Sequence, residues 1–314
     1  MTPTTEHEFA QHVNRHKREL HVHCYRMLGS FEEAEDLVQE TFLRAWRHQD
    51  QFDGSHFRAW LYRIATNACL DHIRRKGRRA EEVSSYAEIP WLQPYPDRLL
   101  DEVAPREDEP DAMLVARETI ELGFLALIQI LPARQRAALI LRDILEFSAQ
   151  ETADALETSV ASVNSALQRA RATLGDRAPD PATWTADAEL SEQERELLQG
   201  FIETHESGDT EAAVKLMAED IRITMPPLSM VYDGIEAIQP LMARAFTDPD
   251  AGEWKLLPTR VNRMPAAASY HRADGASDFT PFKIDVLRVR DGRIAEVTTF
   301  GTEVFAELGL PAAL

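Results

Sequence analysis

Small and amide side chains recur on one face of the segment 159–171, and such side chains can hydrogen-bond to base edges in duplex DNA. The residues on this face are Ser159, Ala161, Ser162, Asn164, Ser165, Gln168, Arg169 and Arg171. Small residues near the start of a helix permit close approach to a DNA groove, and the arginines could bind bases or phosphates. A helical hairpin with a solvated polar face is the other interpretation, and this segment alone leaves both open.

A helix-turn-helix would position this face. Ser148 followed by Glu151 has the spacing of a capping box, so we expect a helix to begin there. Glu157 and Thr158 form the turn, and Ser159 can cap the next helix. Along that second helix an apolar stripe recurs at spacings of three and four residues, which predicts one buried face made of Val160, Val163, Leu167, Ala170 and Leu174.

The N-terminal histidines are a second group of candidate functional residues, since histidine can bind a metal ion. His12 and His16 are four residues apart and could meet on one helix face, as ligands of a metal do, with His7, His21 and His23 nearby. Because no cysteine or carboxylate stands at ligand spacing, the pattern favours an exposed polar helix. We predict no metal and no cofactor.

Charge is distributed unevenly along the 314 residues, whose net charge is −19. Residues 1–80 hold 13 basic and 11 acidic residues, whereas residues 81–115 hold 2 and 10, and residues 176–314 hold 13 and 25. The acidic excess therefore lies outside the segments expected to bind DNA. Cys24 and Cys69 cannot make a disulfide framework, and no apolar window of about 18 residues exists. The composition predicts a cytoplasmic protein that does not span a membrane.

The apolar periodicity divides the first half of the chain into two helical modules and a linker. The pattern of residues 1–80, the first module, predicts three helices. The second helix begins after Ser30, and Glu33 completes a capping box there. Residues 81–115 form an acidic, proline-rich linker whose apolar residues we expect to dock on a neighbouring domain. Residues 116–178, the second module, contain the helix-turn-helix.

The last part of the chain, residues 185–314, is called the tail, and its residue pattern differs from that of the two helical modules. Helical stretches near 190–206, 210–218 and 234–246 precede four strand-like runs near 253–263, 265–272, 281–290 and 293–300. Asp291-Gly292 is a hairpin signal between the last two runs. We therefore predict a multidomain chain with two all-α modules and a C-terminal α+β domain that contains an antiparallel sheet.

Long motifs in both modules resemble those of bacterial sigma factors. The runs Glu35 to Phe42, Phe57 to Ala65 and Asn67 to Asp71, with Arg74-Arg75, resemble the second conserved region. Leu131-Pro132, the run Arg134-Gln135-Arg136 and the helix-turn-helix resemble the fourth region. No third region lies between them, which indicates the extracytoplasmic-function (ECF) group. The resemblance covers residues 12–79 and 116–175.

The resemblance implies partners and roles for individual residues. Five residues would bind the clamp helices of the largest subunit of the RNA polymerase core: Asp36, Leu37, Gln39, Glu40 and Phe42. Five would contact the minus-ten element of promoter DNA: Asn67, Asp71, Arg74, Arg75 and Arg78. Asp71 would accept from a base amine or pair with Arg74 or Arg75. Arg58 and Arg63 could add to a basic track and Tyr62 a stacking surface, while Trp60 fits a core position better. The 159–171 face would read the minus-thirty-five element.

The tail resembles the cone-shaped SnoaL-like domain, through Val231 to Ile238 and the final hairpin. In sigma factors with such an extension, the tail is thought to regulate activity, and it could take a small ligand or an intramolecular partner. The polar and aromatic candidates for a tail pocket are Asp233, Trp254, Arg260, Asn262, Tyr270 and Asp285, whereas His271 looks like a strand end that faces water. Their scattered spacing does not show convergence, so we favour a ligand or interaction pocket over catalysis and predict no enzyme.

The leading hypothesis is thus a sigma factor that directs promoter-specific initiation and is modulated by its tail. A ligand-responsive DNA-binding regulator that works without polymerase is one alternative, and a cyclase-like or hydrolase-like enzyme with a DNA-binding appendage is another. We further predict that Trp91, Leu92 and Tyr95 of the linker pack between the helical modules and the tail.

Overall fold

The computed structural model describes residues 9, 13–52, 56–77, 89–101, 122–175, 189–247 and 252–314. It divides into two compact units. The helical unit comprises Met1–Tyr86 with Leu99–Ala186, and the tail unit comprises Ala87–Arg98 with Asp187–Leu314. The two helical modules therefore belong to one unit, and part of the linker belongs with the tail.

Three helices of the first module are described, and the prediction of three helices is confirmed: α1 (Lys17–Leu28), α2 (Phe31–Arg47) and α3 (Phe57–Lys76). Gly29 ends α1 with φ of 73°, a left-handed conformation that glycine adopts without strain. Ser30 caps α2 because its Oγ accepts a hydrogen bond of 3.3 Å from the Glu33 amide. Leu20 and Leu61 are fully buried where the three helices pack together.

Three of the five N-terminal histidines, His16, His21 and His23, are buried in the first module, so the prediction of an exposed polar helix is wrong for them. His16 pairs with the buried Glu19, and the His21 ring packs on Phe31 with centroids 4.8 Å apart. Burial lowers the pKa of His21 and of His23 to about 3, so both rings are neutral at pH 7. Within the described ranges no cluster of His, Cys, Asp and Glu could hold a metal; His7 and His12 lie outside them.

We expect the neutral His23 to make folding sensitive to acid. The unfolded chain binds a proton at His23 near pH 6.5 and the folded chain only near pH 3, so stability falls as pH drops from 6.5 toward 3. At pH 5 the loss is about 2 kcal/mol. Urea unfolding across this range should show a shallower pH dependence for His23→Gln, whereas the exposed His48→Gln should follow the wild type. Parallel profiles for all three proteins would refute this expectation.

The second module contains four described α-helices and one π-helical turn (Ile140–Ile144): α4 (Leu122–Gln129), α5 (Ala133–Leu139), α6 (Ala149–Ala155) and α7 (Val160–Leu174). The predicted capping box is confirmed, since Ser148 Oγ accepts from the Glu151 amide and the Glu151 carboxylate accepts from the Ser148 amide. Ser159 caps α7 through the Ser162 amide at 3.2 Å. The tight turn leaves Glu157 with φ of 51°. Helices α6 and α7 thus form the predicted helix-turn-helix.

A buried arginine joins the two modules inside the helical unit. Arg136 of α5 is 4% exposed and donates at least five hydrogen bonds, one of them 2.5 Å long to the Met27 carbonyl at the end of α1. Gln129 Nε2 donates to the preceding carbonyl, that of Arg26, at 3.1 Å. The last carbonyls of a helix lack partners within it and carry partial negative charge. The second module therefore supplies hydrogen-bond donors to the carbonyls at the C-terminal end of α1.

The tail unit is an α+β domain with a six-stranded sheet in the order β2-β1-β6-β5-β4-β3. Its helices are α8 (Glu192–Ser207), α9 (Thr210–Leu216) and α10 (Ile235–Thr247). The strands are β1 (Met217–Met225), β2 (Leu228–Asp233), β3 (Glu253–Val261), β4 (Met264–Arg272), β5 (Thr280–Arg290) and β6 (Arg293–Phe300). Buried apolar residues from α8, α9, α10 and the sheet form its core, among them Phe201, Ile221 and Leu287.

The four predicted strands correspond to β3–β6, but β1 and β2 were not predicted. The charged pair Glu219-Asp220 interrupts the apolar alternation of β1, and the pairing of β1 with β6 shifts register between Met217 and Arg222. That pairing is also parallel, so the sheet is mixed, and the prediction of an antiparallel sheet is corrected there. No described helix is long and apolar enough to cross a membrane.

The linker segment 95–97 is fixed to the turn between β3 and β4. Tyr95 is fully buried; its amide donates to Asn262 Oδ1 at 2.7 Å, and its carbonyl accepts from the Asn262 amide at 3.1 Å. Asp97 accepts from the Arg263 amide at 2.8 Å and pairs with Arg260 at 3.0 Å. Leu92 is buried as well. The expectation that apolar linker residues dock on a neighbouring domain is confirmed for the tail.

Candidate functional sites

Helix α7 presents the whole predicted DNA-reading face to solvent. All eight residues predicted on that face are exposed: Ser159, Ala161, Ser162, Asn164, Ser165, Gln168, Arg169 and Arg171. Val163 and Leu167 lie on the opposite, buried face, as the stripe predicts. Arg171 makes two hydrogen bonds of 3.0 and 2.7 Å to the carboxylate of Asp143 in the π-helical turn. This pair holds the arginine at the rim of the face, while Asn164 and Gln168 occupy its centre.

Helix α2 presents a second exposed face, which differs from the predicted set. Asp36 and Gln39 are exposed and Glu40 is half-buried, but Leu37 is only 4% exposed and packs in the core of the module. Leu37 shares the buried stripe of α2, so its prediction as a surface contact is wrong.

The exposed face of α2 also has a member that sequence reasoning missed. Leu43 is 52% exposed and is one of four large apolar side chains exposed among the described residues. Residues 36, 39, 40 and 43 follow the spacing of one helix face, and this periodicity could have identified Leu43. Phe42, the fifth predicted residue, is half-buried at the edge of this face.

A chain of ion pairs connects α2 to the predicted minus-ten residues on α3. Arg44 donates to Glu40 at 2.7 Å and pairs with Asp71 at 3.3 Å. Asp71 also accepts from Arg74 at 2.5 Å, which confirms the predicted Asp71–Arg74 pair. Arg74 and Arg75 are exposed at the end of α3, and Arg78 lies outside the described residues.

Asn67, another predicted minus-ten residue, contacts the helix-turn-helix. Its Nδ2 donates to the Ala155 carbonyl at 3.2 Å and to Glu157 Oε1 at 3.5 Å. Both acceptors lie in or beside the turn before α7. Asn67 is therefore engaged by the second module in this conformation.

Two further candidates on α3 have partners inside the module: Tyr62 is fully buried and Arg58 is half-buried. The Tyr62 hydroxyl donates to Glu19 at 3.2 Å. Arg58 donates to the same carboxylate at 2.8 Å and lies 4.9 Å over the Tyr62 ring. Trp60 is buried, as its helical spacing predicts. Arg58 and His16 both pair with the buried Glu19, so this arginine is engaged inside the module rather than free for the predicted basic track.

The tail unit contains a cavity of about 1060 Å³ between the sheet, α8 and α10. Of the six predicted pocket residues, Trp254 and Asp285 line it. The others lie elsewhere: Asp233 is at the surface beside Arg222, Arg260 and Asn262 hold the linker, and the Tyr270 hydroxyl donates to the Pro311 carbonyl. Side chains alternate between the two faces of β4, which explains why Tyr270 does not line the cavity whereas its neighbours Ser269 and His271 do. His271, which was expected to face water at a strand end, is half-buried and lines this cavity.

Sequence reasoning missed the polar partners of Asp285 in this cavity. Asp285 is fully buried, and its carboxylate accepts from Thr299 at 2.6 Å and lies 2.8 Å from Lys283 Nζ. Lys283 and Asp285 are two apart on β5 and share a face, while Thr299 pairs with Asp285 across the β5–β6 ladder. The alternation Lys283-Ile284-Asp285 was the available signal.

Comparisons with known proteins match three segments of the chain to family models. The family models "Sigma-70 region 2", "Sigma-70, region 4" and "SnoaL-like domain" match residues 12–79, 122–174 and 198–297. The ECF RNA polymerase sigma factor SigG of Mycobacterium tuberculosis is 38% identical over 98% of this chain and 85% of the relative. SigW of Bacillus subtilis, also an ECF RNA polymerase sigma factor, is 35% identical over 53% of this chain and 86% of its own length.

A crystal structure shows the same overall fold. The ECF sigma factor SigJ of Mycobacterium tuberculosis superposes with a TM-score of 0.62, over 96% of this chain and 99% of that chain, at 20% identity. Helical sigma regions joined to a SnoaL-like α+β domain thus define the class of protein. The chain belongs to the ECF RNA polymerase sigma factors.

Proposed function

We propose that this chain binds the RNA polymerase core in the cytoplasm and directs it to selected promoters. The observation that carries the proposal is the presence of two exposed faces with different chemistry in one chain. The α7 face has the small and amide groups that read base edges. The α2 face joins the exposed Leu43 to Asp36, Gln39 and Glu40, so that an apolar contact for a protein partner would be surrounded by a polar rim. A regulator that worked without polymerase would need only the first face.

The minus-ten role of the first module belongs to the same proposal. Arg74 and Arg75 can contact phosphates from their exposed positions, and Asp71 orients Arg74. Asn67 can reach a base only after it leaves the Ala155 carbonyl and Glu157. Promoter reading by Asn67 therefore requires the first module to separate from the helix-turn-helix.

Reconstitution with core polymerase tests the function. Transcripts mapped on genomic DNA with the full chain identify its promoters, and complete dependence on the added chain is expected. On such a promoter, Gln168→Ala should reduce initiation by about 10-fold, since one lost base contact costs about 1–3 kcal/mol. The control Thr173→Ala changes an exposed residue of α7 outside the predicted face and should keep wild-type activity. Absence of any chain-dependent transcript would refute the proposal.

We further propose that the tail modulates promoter use through the linker. Residues 95–97 follow the first module in the chain and precede the second, and the tail holds them through Asn262, Arg260 and Arg263. A free linker would let the two modules adopt many separations, whereas a linker fixed at its middle restricts them. The tail thereby limits the spacing between promoter elements that the two modules can bind together.

Asn262→Gly should loosen this restraint without straining the backbone. Asn262 has φ of 56°, which glycine accepts freely, so the substitution removes only the side chain that holds the Tyr95 amide. Loss of a buried hydrogen bond costs about 1–2 kcal/mol, so the Tyr95 amide should exchange hydrogen about 10-fold faster.

The functional effect of Asn262→Gly is measured on promoters of varied spacer length. The variant should accept a wider range of spacers than the wild type. Asn262→Asp keeps an acceptor oxygen at this position and serves as the matched control. An unchanged spacer preference despite faster exchange at Tyr95 would contradict the proposed role of the tail.

A further inference from the structure

The tail cavity has the size and lining of a small-molecule site. Its volume of about 1060 Å³ is at the upper end of ligand pockets, which typically measure about 300–1,000 Å³. Apolar side chains dominate the lining, including Phe201, Ile223, Met242 and Val297. A cavity of this size with an apolar lining loses dispersion contacts when nothing apolar fills it.

Polar groups in the cavity are concentrated on the sheet. Ser269 and Lys283 face each other across β4 and β5, and Asp285 and Thr299 face each other across β5 and β6. The Thr299 hydroxyl donates a hydrogen bond to the carboxylate of Asp285, which is fully buried, and Lys283 Nζ lies 2.8 Å from the same carboxylate. We call Ser269, Lys283, Asp285 and Thr299 the polar cluster.

His205 of α8 adds an uncharged polar group to the same lining. Its Nδ1 lies 2.8 Å from the Phe201 carbonyl, which can only accept, so Nδ1 carries the proton. Burial lowers the pKa of His205 to about 4, so the ring is neutral at pH 7 and its Nε2 is an acceptor.

The mouth of the cavity is marked by exposed apolar side chains. In the part of the chain that the structure describes, four large apolar side chains are exposed, and three of them line this cavity: Leu228 at 58%, Met230 at 38% and Phe282 at 51%. Phe282 meets Trp254 edge to face at 4.8 Å, and Trp254 lies 4.8 Å from the His271 ring. Clustered apolar exposure indicates a binding surface, and these rings suit a flat ligand.

The charges of the lining exclude an anionic ligand. Among the residues that line the cavity, Lys283 is the one lysine or arginine, against the carboxylic side chains of Asp285 and Glu303. Lys283 is already paired with Asp285, so a ligand carboxylate or phosphate would bring uncompensated negative charge into a buried site.

We propose that the tail cavity binds an uncharged, mostly apolar small molecule with a flat ring system and a hydroxyl or carbonyl group. The rings contact Trp254 and Phe282 near the mouth, and the hydroxyl or carbonyl reaches the polar cluster. As a regulatory ligand this molecule would act through the proposed hold of the tail on the linker, so its biological role rests on that proposed function.

Binding is tested with the full chain and no polymerase. The probe is Nile red, which is uncharged, flat and carries a carbonyl group. Saturable binding of one probe per chain with a blue-shifted emission is expected. Phe282→Ser and Leu228→Ser should each raise the dissociation constant at least about 10-fold. Leu43→Ser removes the fourth exposed apolar side chain, on α2 of the helical unit, and should leave probe binding unchanged.

Three results would overturn the proposed ligand class: no saturable binding, equal weakening by Leu43→Ser, or displacement of the probe by the anion laurate as effectively as by uncharged 2-naphthol. Failure of the regulatory proposal has a different signature. In that case the probe binds as expected, but spacer preference in the transcription assay is the same with and without it.

Discussion

Replacing Arg136 by methionine is expected to lower the free energy of unfolding of the helical unit by about 3–5 kcal/mol. The guanidinium donates to the carbonyls of Met27, Ile128, Gln129 and Leu131 and to the Gln129 side chain, at distances from 2.5 to 3.1 Å. Methionine fills a similar volume but leaves these buried acceptors without donors, and each unsatisfied group costs about 1–3 kcal/mol. Urea unfolding followed by circular dichroism measures the loss.

A neighbouring arginine provides the control for Arg136. Arg134 lies two residues earlier on α5, is exposed, and makes one hydrogen bond of 3.3 Å to the Leu156 carbonyl. Arg134→Met should therefore cost less than about 1 kcal/mol. Arg136→Lys should fall between the two, because an ammonium group cannot match the fork of a guanidinium. Equal stability of the two methionine variants would show that the hydrogen bonds of Arg136 do not stabilise the unit.

The second large effect is expected on polymerase binding. Leu43→Glu places a charge at the exposed apolar position of the α2 face, where a partner would have to bury it. Loss of a central apolar contact and burial of a charge together should weaken binding to the core by about 30-fold or more. Titration of the labelled full chain with core polymerase measures the dissociation constant, and circular dichroism checks that the fold persists.

Two other variants separate an interface effect from a folding effect. Ala306→Glu adds the same charge at an exposed site in the tail and should bind the core like the wild type. Leu37→Ala removes a buried side chain of the same helix, so it should lower stability by about 2–5 kcal/mol. If Leu43→Glu bound the core as tightly as Ala306→Glu does, the α2 face would not be the polymerase contact.

Local signals predicted several elements of the structure correctly. Ser148 with Glu151 and Ser159 with its turn determine where α6 and α7 begin, because these caps act over three or four residues. The stripe of α7 predicted which face is buried. Strands β3–β6 were recognisable because apolar runs and the Asp291-Gly292 turn are local as well. By contrast, β1 becomes a strand through pairing with β6, which is distant in sequence.

Individual side chains in the sites were harder to predict, since their surroundings come from distant parts of the chain. Leu37 and Leu43 are both apolar residues of α2, and only packing distinguishes the buried from the exposed one. In the sequence Arg58 looks like a member of a basic track, whereas in the structure it donates to Glu19 on α1. Asn262 was a pocket candidate, yet the structure assigns it to the Tyr95 backbone.

The ECF class, the order of the modules and the exposed face of α7 can be predicted from the sequence, because long motifs, caps and helical periodicity depend on residues close together in the chain. Only the packing of distant elements shows which candidates are accessible, that Arg136 donates to the Met27 carbonyl at the end of α1, and that Lys283, Asp285 and Thr299 meet in a cavity. Those outcomes depend on contacts between residues far apart in the chain, and such contacts are set by how the elements pack rather than by local residue preferences.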